Sequence, residues 1–532
     1  METLDREPSQ YHHFVPQFLL RNFASTSAAP KNGSKTSTRH RAGKKVRQRD
    51  PVVNRLDLSS EAPKVVEMQV KNILGKIDMY RDTNKPYQQQ QHIEKMFSRV
   101  ESKVSAIFRD ITKSFNERQG GIWLTRSHRN DIRKFLFLMK YRGSTFYRRY
   151  NHETAAGYNA NDREKMLEYM QEKGFERPID VWLDNIKTII ELDMDDELRW
   201  ISELPQRMYP DDAMWVINHC QSMFMAICTP SNTQDEFILT DNCYHIFEGP
   251  NQLMLDLETG KSKEVAWTNF HEFAPISPKL MIVLRSNLLP SPEDATDPEA
   301  KAQKAKLWYL AVEKFHGSDT KSTLADLPIS KASNNYTHDK DGAPWLNEDE
   351  DGSLKPHHKF FFEFFPIDTH HVNEIHCVFL DNASSCTSVV FRSKESFLQT
   401  LEWYLTKPNW SGKRVTCLPD DLQRLCLRKL AAVLKQMGSD KEPVWEEIDV
   451  PGLKYDAMQQ VDRAGIFDMF PELLDSIPDD NPTEHMQIYN ILGNLLFDPV
   501  SIFAKENFRR VEANACKGYA TSSLDDEIAD QD

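Results

Sequence analysis

The sequence predicts an α+β fold: predominantly helical, with a small, mostly antiparallel sheet and a helical C-terminal extension. Three observations lead there. Apolar residues recur at three- and four-residue steps through residues 92–117, the mark of an amphipathic helix. Short apolar runs bounded by Pro, Ser, Asn and Asp crowd residues 222–284, as strands and turns do. Helical periodicity returns at 422–437 and 486–497.

The elements follow in order. The chain opens on Tyr11-His12-His13-Phe14-Val15-Pro16-Gln17-Phe18-Leu19-Leu20-Arg21-Asn22-Phe23. Pro16 suits the first turn of a short helix, where its missing N–H costs nothing. That helix is expected to bury Leu19, Leu20 and Phe23. Residues 64–80 read as a helix. In the next, Ile93, Met96, Phe97, Val100, Val104, Ile107, Phe108, Ile111 and Phe115 recur on one face. Thr125 is a candidate cap for a helix turning Ile132, Phe135, Leu136, Met139 and Phe146 inward. Two further helices are expected at 161–173 and 179–192. A hairpin is expected from the apolar runs 222–228 and 236–240 about Thr229-Pro230-Ser231-Asn232. Strands follow at 273–277, 280–284 and 360–365. Asp368 or Thr369 then caps a helix burying Val372, Ile375 and Phe379, before a strand at 388–392 and a helix at 394–405. Residues 290–303 and 338–356 are polar excursions punctuated by Pro and Gly.

Composition narrows the class. At 532 residues the chain exceeds one small core, and 39% hydrophobic residues suffice to build a real one. No apolar run reaches a membrane-spanning length, and the polar METLDREPSQ start has no signal core. The eight cysteines form no C-x-x-C pair. Together these features predict an intracellular protein, cytoplasmic or nuclear, with reduced thiols and no membrane association. The net charge of −14 argues against a nucleic-acid coat. A local exception is the basic loop 31–55, with nine Lys or Arg against Asp50 alone. It reads as a solvated insertion, or as a contact for nucleic-acid phosphates or an import receptor.

The opening motif resembles the "domain of unknown function 4238" family, through His12, His13, Val15, Pro16, Leu20 and Phe23, with Arg21 also in the family manner. Other elements follow in the family's order. They are a long helix with an internal glutamate (92–117) and a helix ending in an arginine followed by aromatics (126–150). A strand end reads Thr240-Asp241-Asn242-Cys243, a turn Pro275-Ile276-Ser277-Pro278, and a late helix Val372-Asn373-Glu374-Ile375. The resemblance implies a family-like α+β domain over residues 11–405 and transfers no reaction. Beyond it, residues 406–518 read as a helical extension and 519–532 as an acidic disordered tail.

The candidate chemistry centres on the same motif. His12 and His13 are candidate catalytic bases or metal ligands, although adjacent residues on an extended segment face opposite ways. Asp241 is the third catalytic candidate, and Gln17, Arg21 and Asn242 are candidate binding residues. Each has a plainer role, the histidines orienting the start of the helix and Asp-Asn making turn bonds. Arg21 is expected to need a carboxylate and to find Asp241. The string His-His-Phe-Val-Pro also invites comparison with HNH nucleases, without their later Asn and His. His357, His358, His370, His371 and His376 read as surface histidines, and Arg126, Arg129, Arg133, Arg142, Arg148 and Arg149 as a solvated basic face. Two functions stay open. The leading expectation is an interaction or scaffold protein; the alternative is a nuclease-like hydrolase, for which alone a divalent metal is implied.

Overall fold

In the computed structural model the described residues are 9–25, 50–160, 162–255, 262–290, 298–340, 343–407, 413–417, 419 and 421–448. The acidic tail, the helix expected at 486–497 and positions 31–49 of the basic segment lie outside them.

The chain begins with β1 (Tyr11–His13), α1 (Gln17–Asn22), β2 (Val52–Asp57), β3 (Lys64–Gln69), β4 (Gly75–Ile77), α2 (His92–Asn116), β5 (Gly121–Thr125) and α3 (Arg126–Tyr141). Helices α4 (Ser144–Tyr150), α5 (Arg163–Lys173), α6 (Pro178–Glu191), α7 (Arg199–Arg207) and α8 (Pro210–Gln221) follow. Next come β6 (Met223–Pro230), β7 (Leu239–Thr240), β8 (Phe247–Glu248), β9 (Asn251–Leu255), β10 (Ser262–Trp267), β11 (His271–Ser277) and β12 (Leu280–Ser286). After α9 (Pro298–Trp308) and α10 (Lys314–His316) come β13 (Ser333–Asn334), β14 (Thr337–Lys340), β15 (Ala343–Leu346) and β16 (Lys359–Ile367). The last described elements are α11 (Thr369–Asp381), β17 (Ser388–Phe391), α12 (Lys394–Thr406), β18 (Arg414–Thr416), α13 (Leu422–Gln436) and β19 (Glu446–Ile448).

This is a mixed α+β fold with several sheets. The largest is not small: its order is β13-β16-β6-β12-β11-β8, with β5 also on β16. Its pairings are antiparallel except β16 on β6, which is parallel. A second sheet, β3-β2-β17-β7, joins distant parts of the chain. One hydrophobic core gathers Leu19, Leu20, Phe97, Phe135 and Trp182 among the helices. Another packs Phe379 of α11, Leu401 of α12 and Leu427 of α13 beneath the sheets.

Local signals placed many elements. Thr125 Oγ1 accepts from His128 N at 3.1 Å and caps α3. Asp368 does the same for α11, 2.9 Å from His371 N. Elsewhere long-range pairing overrode local pattern. Residues 64–80 are not a helix: β3 pairs along all of β2, and Leu74 and Asp78 sit at φ 53° and 52°, outside the right-handed helical region. The hairpin expected from 222–240 does not form. Instead β6 takes β12 and β16 as partners, and β7 pairs with β17. The helix expected to carry Phe146 breaks at Arg142-Gly143, so Phe146 belongs to α4. Each polar excursion also holds structure, the start of α9 in one and β14–β15 in the other.

Candidate functional site

Strand β1 pairs antiparallel with β4, His12 opposite Lys76 and His13 opposite Gly75. The strand period sends the two histidines to opposite faces. His12 turns inward and is 1% exposed. Its Nδ1 accepts from Tyr80 N at 3.0 Å, and its ring stacks on Tyr80 with centroids 5.5 Å apart. Burial holds its pKa below the ordinary histidine value, so the imidazole is neutral, with its proton on Nε2. That atom and Gln91 Oε1 are both buried and fall outside hydrogen-bond geometry.

His13 is half-buried. Its Nδ1 lies 3.0 Å from Ile73 O, which fixes the proton there. Nε2 then accepts from Gln17 Nε2 at 3.0 Å, and Gln17 Oε1 accepts from Arg21 Nη2 at 3.0 Å. The four-residue spacing of Gln17 and Arg21 puts these two on one face of α1, and His13 reaches Gln17 from the end of β1. Burial, with Arg142 and Arg21 nearby, lowers the His13 pKa. The structure thus brings together His13, Gln17 and Arg21.

Asp241 and Asn242 are engaged elsewhere. Asp241 is 2% exposed. Its carboxylate accepts from Thr387 N at 2.9 Å and Thr387 Oγ1 at 2.6 Å, with a longer bond from Ser388 N at 3.4 Å. It therefore fastens the start of β17. Asn242 Oδ1 accepts from Thr145 Oγ1 at 3.2 Å, and its amide donates to Asn382 and Ser385. No hydrogen bond or ion pair joins Asp241 to His12, His13 or Arg21. The expected Arg21–Asp241 pairing fails for a simple reason: Arg21 is exposed, so water and Gln17 satisfy it.

The arginine that does sit buried at the motif is Arg142, 1% exposed, just past α3. Its Nε donates to Phe14 O at 3.1 Å and its Nη1 to Glu101 of α2 at 2.8 Å. The guanidinium carbon lies 4.5 Å from the Phe97 ring centroid, and Tyr80 Oη donates to Arg142 O at 3.3 Å. Thr145, three residues on, is the one that meets Asn242. The opening motif, the long helix and the Asp-Asn turn therefore converge on the α3–α4 junction.

The convergence has a counterpart in sequence comparison. A family profile described as "Protein of unknown function (DUF4238)" matches residues 11–395. The chain belongs to this family. No curated protein and no solved structure matches it. The matched region takes in every element of the junction.

The DUF4238 region buries other polar groups that the sequence placed at the surface. Four of the α3–α4 arginines are not a solvated face. Arg126 reaches Tyr336 Oη and Lys355 O, each at 3.2 Å; Arg133 caps Met223 O at 2.9 Å; Arg149 pairs with Asp162 at 2.6 Å; the fourth is Arg142. His358, His371 and His376 are 1%, 7% and 2% exposed. His376 bonds Thr400 Oγ1 at 2.9 Å, and burial pushes its pKa down to about 3. Lys140 and His219 share the buried Glu272 carboxylate; despite the desolvation cost, these two partners hold Glu272 ionised. Among the described residues no group of three His, Cys, Asp or Glu is placed to hold a metal, and no helix is long and apolar enough to cross a membrane. Of the basic segment, Arg55 lies in β2 and pairs with Asp57 at 3.2 Å, so it is not a loop residue.

Arg142 escaped the sequence reading because it stood in a run of similar arginines. Its one local mark is the helix break at Gly143 beside Tyr141 and Phe146.

Proposed function

We propose that this DUF4238 protein acts by binding, as an interaction or scaffold protein, and not by hydrolysis at its histidine motif. The observation that carries this reading is how the motif's polar atoms are used. His12 Nδ1, both nitrogens of His13 and both carboxylate oxygens of Asp241 are already bonded, chiefly to main-chain groups 60 to 147 residues away. Groups so committed hold segments together: the histidine lone pairs are spent within the chain, and most of the roughly four acceptor sites of the Asp241 carboxylate are filled. Trp123 and Trp345, 50% and 51% exposed, supply the aromatic surface that interfaces favour. An intracellular setting is supported by the free thiols of Cys220, Cys228, Cys243, Cys377, Cys386, Cys417 and Cys426.

The test is direct. Wild type and His13→Ala are incubated with single- and double-stranded DNA and RNA, with Mg2+ or Mn2+ supplied. Equal background in both is expected. Metal-dependent cleavage by wild type that His13→Ala loses would establish the hydrolase instead.

A further inference from the structure

Two recesses differ in what lines them. A cleft between the amino-terminal half of α3, the loop from α6 to α7 and Pro356 is lined by Asp193 and Asp196. Asp193 is exposed and Asp196 partly so, and water serves both. A groove of about 460 Å3 lies instead where the end of α2 meets β16 and β6. That volume falls within the roughly 300–1,000 Å3 of small-ligand sites.

The groove follows from how α2 stops. Lys113 O, Ser114 O and Phe115 O accept from Glu117 N, Gln119 N and Arg118 N at 2.9, 3.1 and 2.9 Å. Arg118 takes the left-handed position of that turn, at φ 58°, which glycine usually fills. Gly120 O then accepts from Phe364 N at 3.0 Å and ties the turn to β16. Phe364 and Pro366 are two apart on β16 and share a face, and Thr229 of β6 stands beside Pro366 in the parallel pairing. Phe115 completes the wall, its ring centroid 5.6 Å from that of Phe364.

The polar groups of the lining divide. Gln119 is spent: its Oε1 accepts from Ser114 Oγ at 2.7 Å and its Nε2 donates to Glu117 at 3.2 Å. The last carbonyls of α2 are spent in the turn. Asn116 is exposed and served by water. Thr229 is 9% exposed, yet its hydroxyl has no hydrogen bond among the described residues. A hydroxyl so enclosed loses its water when the groove fills, and then needs a partner on whatever fills it. Arg118 is the one charged residue of the lining, and its guanidinium makes no ion pair or hydrogen bond among the described residues. The groove therefore sets an unpaired cation and an enclosed donor against an apolar wall, and no acid lines it.

We infer that this groove binds a small aryl or alkyl carboxylate. Arg118 pairs with the carboxylate, as guanidinium groups do through two parallel N–H donors, and the Thr229 hydroxyl donates to it. Phe115, Phe364 and Pro366 take the apolar body out of water. The site shares no residue with the histidine motif and goes beyond the binding reading above.

Calorimetry on the full chain at low salt compares 4-phenylbutyrate with 4-phenylbutylamine, which carries a cation on the same body, and with acetate, which lacks the body. Wild type should bind 4-phenylbutyrate about tenfold or more tightly than either. Arg118 is exposed, so R118Q keeps the fold, which its thermal melt verifies, and it should lose about tenfold in affinity for 4-phenylbutyrate. T229V, which keeps the shape of the side chain, should lose about threefold; R118Q carries the test alone if T229V melts early. Absence of 4-phenylbutyrate binding, unchanged affinity in R118Q or in folded T229V, or equal binding of 4-phenylbutylamine overturns the inference. None of these results touches the nucleic-acid cleavage test.

Discussion

The motif junction and the α3–α6 cleft are both rich in charged and polar side chains, and they dispose of them in opposite ways. At the junction Arg142 joins Phe14 to Glu101, Asp241 joins β7 to β17, and His12 joins β1 to Tyr80. These side chains bridge separate parts of the chain, although His12 Nε2 and Arg142 Nη2 are buried without a partner. In the cleft Asp193 and Asp196 bridge nothing within the described residues. Polar side chains buried with full partners raise the specificity of a fold, because an unmade bond there costs the whole desolvation penalty. Asp193 is exposed and Asp196 partly so, and solvent serves them in place of partners, so they contribute little to stability. A sequence motif therefore points to function only after its bonds have been counted.

The sharpest way to break the comparison is to cut the junction. Arg142→Met keeps the bulk but leaves Glu101 and Phe14 O without their donor. Loss of one partner from a buried ion pair costs about 3–5 kcal/mol. Glu101 is 27% exposed, so about 3 kcal/mol is expected, read as a fall in the midpoint of urea unfolding. The same experiment on D193N/D196N should give the smallest effect, within about 0.5 kcal/mol of wild type, because surface groups without partners contribute little. If the cleft variant were the more destabilised of the two, the assignment of roles would be reversed.

How much of this was legible depends on the range of the interactions. The 3.6-residue period of α2 and the caps Thr125 and Asp368 act within a few positions, so they could be read directly. The opposite facing of His12 and His13 follows from strand geometry alone. Val65, Glu67 and their neighbours in β3 adopt a strand because β2 lies beside them, a partner no local window contains. The hairpin expectation failed likewise: β6 pairs with β12, more than 50 residues on, and with β16, more than 130 residues on. At the site, the position of Asp241 at a strand end was readable, but its bond to Thr387 spans 146 residues. Arg21 was expected to need a carboxylate because its exposure was unknown, while Arg142, which does need one, was hidden among its neighbours. The free carboxylates of the cleft had no signal in sequence, since unpaired and paired acids look alike until their surroundings are known.

Equilibrium urea unfolding of His12→Ala and Asp241→Asn tests most directly whether the motif holds the fold together. His12→Ala leaves Tyr80 N unpaired in the core, at about 1–3 kcal/mol. Asp241→Asn weakens charge-assisted bonds worth about 1.5–3 kcal/mol to the start of β17. Both variants should show lower midpoints with unchanged slopes, the sign of lost stability in an otherwise intact fold. Wild-type midpoints for both, together with loss of a hydrolytic activity that the parent displays, would contradict the structural role and return these residues to catalysis.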